Sequence, residues 1–148
     1  MKKYVIVLVL ILCIAGICGL NVVRDYSWQR SETDGLSSMK VKEGTLSEVG
    51  CTVVIENEET KAFPLGIEFW HIEKLENGKW QNVPFLTEGR WSHAIAYQVG
   101  PEDCQEHEIR WDYEVGRLSS GKYRIAVPIY TSTWRKIEDY LYARFIIR

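Results

Sequence analysis

Hydrophobic and polar positions alternate with a period of two along most of the chain, after an uninterrupted apolar run at the start. Tyr4 to Val23 is 20 residues without a charge, preceded by Lys2 and Lys3. That length is enough to cross a bilayer as a helix. From Met39 onward the alternation predicts short strands separated by turn residues. The first two cover residues 39–42, with Met39 and Val41 inward, and 51–57, with Cys51, Val53 and Ile55 inward and Thr52, Val54 and Glu56 outward. A charged turn over 56–61 leads to a strand over 66–74, in which Trp70 and Ile72 share a face. Asn77-Gly78 is a hairpin signal, and the chain returns over 79–83. Further strands are expected over 91–99, 106–113, 122–130 and 140–147, with a turn at 100–103 and a polar tip at 131–139. Ile109 and Trp111 point inward in one, and Leu141, Ala143, Phe145 and Ile147 in the last. No helix longer than a turn is needed after residue 23, so the class is all-β.

The charged start and the apolar run have two main readings. One is an uncleaved anchor that holds the chain in the membrane. The other is a secretory signal cleaved near residue 19, which Ile17 and Gly19 fit only loosely as small residues before the cut. Lipidation is the remaining reading, although neither Cys13 nor Cys18 is preceded by the small residue such a signal places there. Lys2 and Lys3 set the N-terminus in the cytoplasm and everything after Val23 outside it. Residues 24–38 are polar and read as a linker, with Tyr26 and Trp28 suited to the membrane interface. The folded part is then 39–148, one domain.

Composition narrows the partners. After Lys2 and Lys3 the chain carries 16 basic against 20 acidic residues, a net −4 with no basic stripe, so nucleic acid is excluded as an expectation. Two cysteines in the folded part, Cys51 and Cys104, are too few for a disulfide scaffold. Outside the cell the two could pair; if their strands run antiparallel side by side they fall at opposite ends, too far apart for a bond, which leaves Cys51 a small buried residue and Cys104 a free thiol in a turn. His71, His93 and His107 sit on three different strands without metal-ligand spacing. Glu56, Glu58 and Glu59 lack the Asp/Asn/Gly spacing of a calcium loop and read as a solvated turn. No triad order, nucleophile elbow or carboxylate pair stands out, so no enzyme and no cofactor are expected.

One stretch carries more than alternation. Leu118-Ser119-Ser120-Gly121-Lys122-Tyr123-Arg124-Ile125 delivers a Ser-Ser-Gly turn into an apolar strand, with Tyr123 two residues past Gly121. That arrangement reads as a tyrosine corner, in which the hydroxyl bonds back to the preceding turn and Gly121 supplies an unusual φ. Together with Met39-x-Val41-x-x-Gly44-Thr45-Leu46, Gly50-x-Thr52-Val53-x-Ile55-x-Asn57, Trp70-x-Ile72-Glu73, Gly78-Lys79-Trp80 and Ala143-x-Phe145-x-Ile147, it resembles the bacterial immunoglobulin-like domain family over about residues 39–148. The resemblance implies a β-sandwich outside the cytoplasm; the fold expected is an immunoglobulin-like β-sandwich of about seven to nine antiparallel strands, preceded by the N-terminal hydrophobic helix read from the apolar run. It implies no ligand. Trp70 matches the strand tryptophan of such sandwiches. Ile125 stands where antibody domains place a bridging cysteine, so packing must hold the core.

The expected role is a noncatalytic module for protein interaction or structural support at the cell surface. The membrane is the partner of residues 4–23, and a protein or the cell wall is the partner of the folded part. The rival is a carbohydrate- or cell-wall-binding module using Trp91, Trp134 and Tyr130. Trp70 and Trp111 belong to the core, and Trp80 covers a sheet edge. Trp91 and Trp134 are the candidates for surface recognition. Trp134 beside Arg135 and Lys136 also suits the lipid headgroup layer, against the plainer reading of a solvent-exposed tip.

Overall fold

In a computed structural model of the chain, the structure describes residues 37–87, 97–131 and 135–148. All belong to the unit Ser31–Arg148. The expected N-terminal helix over 4–23 and the linker up to residue 36 lie outside the described residues. Among the described residues no helix is long and apolar enough to cross a membrane.

Nine strands are described: β1 (Ser37–Val41), β2 (Gly50–Asn57), β3 (Phe63–Leu65), β4 (His71–Glu76), β5 (Lys79–Asn82), β6 (Tyr97–Val99), β7 (Cys104–Arg110), β8 (Gly121–Tyr130) and β9 (Ile137–Ile147). They form two antiparallel sheets. One has three strands in the order β1-β2-β7. The other is centred on β8, with β9 along one edge and β4 then β3 along the other; β5 continues from β4 and β6 from β3.

The inner faces follow the alternation. Val53, Ile55, Ile72, Val99, Ile125, Val127, Ala143 and Phe145 are buried. Asn77 and Gly78 both take positive φ, 51° and 76°, the backbone of a tight hairpin turn whose twist matches its strands. Trp111, Phe145 and Tyr123 stack in sequence, with centroids 5.7 and 5.6 Å apart and planes within 25° and 18°. Trp111 follows β7 of one sheet, while Phe145 and Tyr123 belong to the other, so the stack joins the two layers. Its indole Nε1 donates to the Glu48 carbonyl at 2.8 Å, which satisfies the polar end of a buried ring.

Several expectations are corrected. The strand expected over 66–74 is broken: β3 ends at Leu65, a single 3-10 turn occupies Ile67–Phe69, and β4 begins at His71. The pairing with β8 shifts by three residues across the break, from Leu65 opposite Ile129 to His71 opposite Ala126. An odd shift reverses the alternation, so Leu65 points inward before it and Trp70 and Ile72 after it. The cause is close approach at Gly66, whose N–H donates to the Pro128 carbonyl at 2.9 Å. A Cβ there would stand 2.5 Å from the Tyr130 ring and 2.9 Å from Pro128.

The strand expected over 106–113 runs from Cys104 to Arg110 instead, and Tyr113 is fully outside it and exposed. Trp111 ends it by turning its N–H to the Val49 carbonyl. The last strand starts at Ile137, before the expected residue 140. Of the strand expected over 91–99, only β6 falls within the described residues.

Val54, expected to face solvent, is buried. It lies between Lys40 of β1 and Glu106 of β7. On the same face Lys40 pairs with Glu56 and Lys42 with Glu106.

Candidate functional site

The sandwich presents two outer faces built from the same alternation. On the three-stranded sheet the outward positions are Lys40, Thr52, Val54, Glu56, Glu106, Glu108 and Arg110. Their charges pair locally, Lys40 to Glu56 and Lys42 to Glu106, both at 2.7 Å and half exposed. Arg110 pairs with Asp112 just beyond β7.

The outer face of the larger sheet is different in kind. Antiparallel register sets Glu73 of β4 opposite Arg124 of β8, and Arg124 opposite Arg144 of β9. One residue pair along, His71, Ala126 and Tyr142 form the next row across the sheet. Arg124 donates from Nε to Glu73 in a short ion pair, both side chains only 13–14% exposed. Its guanidinium lies over the Trp80 ring from β5 at 4.5 Å and over the Tyr142 ring at 4.1 Å. Arg144 approaches Trp80 at 5.8 Å. Beyond Tyr142 the contacts run on to Tyr140 at 6.2 Å and from there edge-on to His71 at 5.6 Å. The result is a continuous row, Arg144–Trp80–Arg124–Tyr142–Tyr140–His71, across four strands.

Small outward residues make room for the row. Ala126 is buried although it faces out, between His71 and Tyr142, and Pro128 is buried opposite Tyr140. Burial holds the Tyr142 hydroxyl above its ordinary range, with Arg124 opposing. Burial likewise lowers the His71 pKa, against the pull of Glu73 and with the repulsion of Arg124.

The sequence-predicted residues fall as follows. Tyr123 is buried, and its hydroxyl donates to the Ser119 carbonyl at 2.9 Å and lies 3.2 Å from the Ser119 hydroxyl. Gly121 does not take the positive φ assigned to it; in the described chain the glycines that do are Gly44, Gly78 and Gly116. Its place is explained by space instead, since a Cβ there would meet the Tyr123 ring at 3.2 Å and Lys74 at 3.1 Å. Trp70 is buried and tilts against Phe85 at 6.0 Å. Trp111 is fully buried. Arg135 and Lys136 are exposed in the bend just before β9. Trp91, Trp134 and His93 lie outside the described residues. Tyr130, the third ring of the carbohydrate reading, is half-buried and packs edge-on to Phe69 at 6.2 Å.

Cys51 is buried and Cys104 exposed, both as free thiols. Cys104 stands opposite Glu56 and Cys51 opposite Ile109, at the two ends of the β2–β7 ladder, roughly 17 Å apart at the usual rise per residue. Burial pushes the Cys51 thiol up to about 12. Among the described residues no three His, Cys, Asp or Glu side chains gather as a metal site.

Two features escaped the sequence reading. One is the aromatic–arginine row, whose signal was the outward half of the last strand, Tyr140-x-Tyr142-x-Arg144. The other is Asn57, buried at 1% exposure. Its amide donates to the carbonyls of Lys61, Val99 and Gly100, and its oxygen accepts from Ser37 and the Glu59 N–H. One side chain thereby fastens the end of β2 to β1, to the charged turn and to the end of β6.

The two layers, the corner at Tyr123 and the strand order define an immunoglobulin-like sandwich. The chain belongs to the bacterial Ig-like domain family, whose model matches residues 34–143. Among solved structures it is similar to the X-ray structure of Northeast Structural Genomics Consortium target SoR45. The two are 15% identical over 78% of this chain and 84% of that one, with a TM-score of 0.38, and this likeness carries no argument. No curated protein matches the chain.

Proposed function

We propose that the chain is a noncatalytic interaction module held outside the cytoplasm by a membrane anchor at residues 4–23, and that it contacts a protein partner through the outer face of the larger sheet. The family supports a noncatalytic module, and the uncharged run behind Lys2 and Lys3 supports the anchor and the orientation. The observation that carries the choice of face is the row from Arg144 to His71. Aromatic and arginine side chains are what protein contact surfaces concentrate, and they lose little conformational freedom on binding when already stacked. The other outer face is a set of local ion pairs, the composition of ordinary solvated surface.

The test is photo-crosslinking of the full chain in its native membrane. A crosslinking amino acid replaces Asn82 or Ile146 on the larger sheet, or Ser38 or Glu108 on the smaller one. Adducts from the first pair alone are expected. Adducts chiefly from the second pair, or from neither, would overturn the assignment of the face.

A further inference from the structure

We infer that the module also carries tension: the pull between an upstream anchor and a bound partner enters at Ser37 and loads β1 in shear. This rests on the anchor and the contact face proposed above. β1 runs from Ser37 to Val41 and the chain reaches it from residue 36, so a pull from upstream acts first on Ser37. Ser37 lies opposite Asn57, whose amide also bonds the Val99 and Gly100 carbonyls, so it stands at the end of the sandwich where β2 and β6 finish. β6 lies beside β3, and β3 meets β8 at Ile129. Arg124, with Trp80 and Tyr142 around it, lies nearer the Gly121 end of β8. A line from the contact face to Ser37 therefore runs largely along the strands and away from the body of the domain.

The cross-strand hydrogen bonds of an antiparallel pair lie perpendicular to the strands. A pull across the pair opens them one after another, whereas a pull along it strains them all together. β1 stays in register with β2 from Ser37 opposite Asn57 to Val41 opposite Val53. The pinning continues past it: the Lys42 N–H donates to the Thr52 carbonyl at 2.8 Å, and the Thr45 hydroxyl accepts from the Thr52 N–H at 3.0 Å. Side chains block creep along the ladder, because a slip of one residue would turn the fully buried Met39 out of the core. Where the pull enters, the Ser37 hydroxyl donates to the Asn57 side chain at 3.2 Å. Asn57 is itself held by Lys61, by Val99 and Gly100 at the end of β6, and by the Glu59 N–H. The first residue to feel a pull is thus tied through one side chain to the other sheet. Forced unfolding is governed by the barrier that such an arrangement raises.

The experiment holds single full-length chains, in a nonionic detergent, between magnetic-tweezers handles. One handle joins a click-reactive amino acid replacing Asn82 on the larger sheet. The other joins such an amino acid replacing Ser31, upstream of β1, or Glu43, exposed in the turn past it. At equal constant force the chain pulled from Ser31 is expected to stay folded at least about tenfold longer than the chain pulled from Glu43, the equivalent of about two hydrogen bonds breaking together rather than in turn. Ser37→Ala, which removes one bond of the latch and leaves the ladder, should shorten the lifetime about fivefold from Ser31 and far less from Glu43. Near-ultraviolet circular dichroism confirms that the variant keeps the stacked core. Equal lifetimes in the two geometries, or a Ser37→Ala effect of the same size in both, would overturn the inference. If the lifetimes agree while Asn82 and Ile146 still crosslink to a partner, the tension role alone falls. If neither position crosslinks, the contact face falls and the path of the pull falls with it.

Discussion

The two outer faces of this sandwich use arginine and lysine in opposite ways. On the three-stranded sheet, Lys40 and Lys42 reach into solvent to meet Glu56 and Glu106, each partner about half exposed or somewhat less. Such pairs give back in side-chain entropy and screening most of what the attraction supplies. On the larger sheet, Arg124 is withdrawn from water and held on three sides, by Glu73, Trp80 and Tyr142. A cation in that position is costly to leave unpaired and is strongly oriented when paired. The lesson is that charge on a sheet surface is either interchangeable or structural according to whether rings exclude water from it.

Substitution should break this contrast most visibly at Arg124. Arg124→Ala strands the largely buried Glu73 carboxylate and removes both ring contacts, and we expect a loss of about 3 kcal/mol in urea unfolding. Lys42→Ala on the other face should cost under about 0.5 kcal/mol in the same measurement. A smaller effect of the same sign is expected from Trp80→Ala, about 1–2 kcal/mol, combining one lost cation–π contact with partial exposure of the sheet beneath.

The pH dependence sharpens the comparison further. His71 ends the aromatic row, and burial lowers its folded pKa below the ordinary histidine value near 6.5. His107, edge-on to Tyr97 at 5.3 Å, is lowered for the same reason. A base with a depressed folded pKa binds more protons when unfolded, so its contribution to stability is present above about pH 6.5 and is lost as the pH falls below it. Unfolding midpoints should therefore decline on acidification, and His71→Gln should flatten part of that decline. The smallest expected effect on stability is chemical labelling: iodoacetamide should alkylate Cys104 in the folded chain and leave Cys51, whose thiol stays protonated near pH 8, untouched until unfolding. Mass spectrometry reads both sites.

How much of this was legible in the sequence differs between the inside and the outside. The inner faces of β2 and β9 could be read directly, because Val53-x-Ile55 and Leu141-x-Ala143-x-Phe145-x-Ile147 each state their own periodicity. The hairpin at Asn77-Gly78 is equally local. The break at Ile67–Phe69 is not, because its cause is contact between Gly66 and Pro128 and Tyr130, more than sixty positions away in the chain. The aromatic–arginine row has the same difficulty. Its members come from β4, β5, β8 and β9, and nothing brings Trp80 to Arg124 until the register between those strands is known. Asn57 looked like the start of a charged turn; its burial follows from the return of β6 at Val99 and Gly100.

The central physical claim is that the outer face of the larger sheet is one coupled unit while the other outer face is a set of independent pairs. A double-mutant cycle tests it most directly, with Arg124→Ala and Tyr142→Ala compared against Lys42→Ala and Glu106→Ala in urea unfolding. We predict a coupling energy of about 1 kcal/mol or more for Arg124 with Tyr142, and less than about 0.5 kcal/mol for Lys42 with Glu106. Additive effects for Arg124 and Tyr142, with a coupling indistinguishable from that of the exposed pair, would contradict the account.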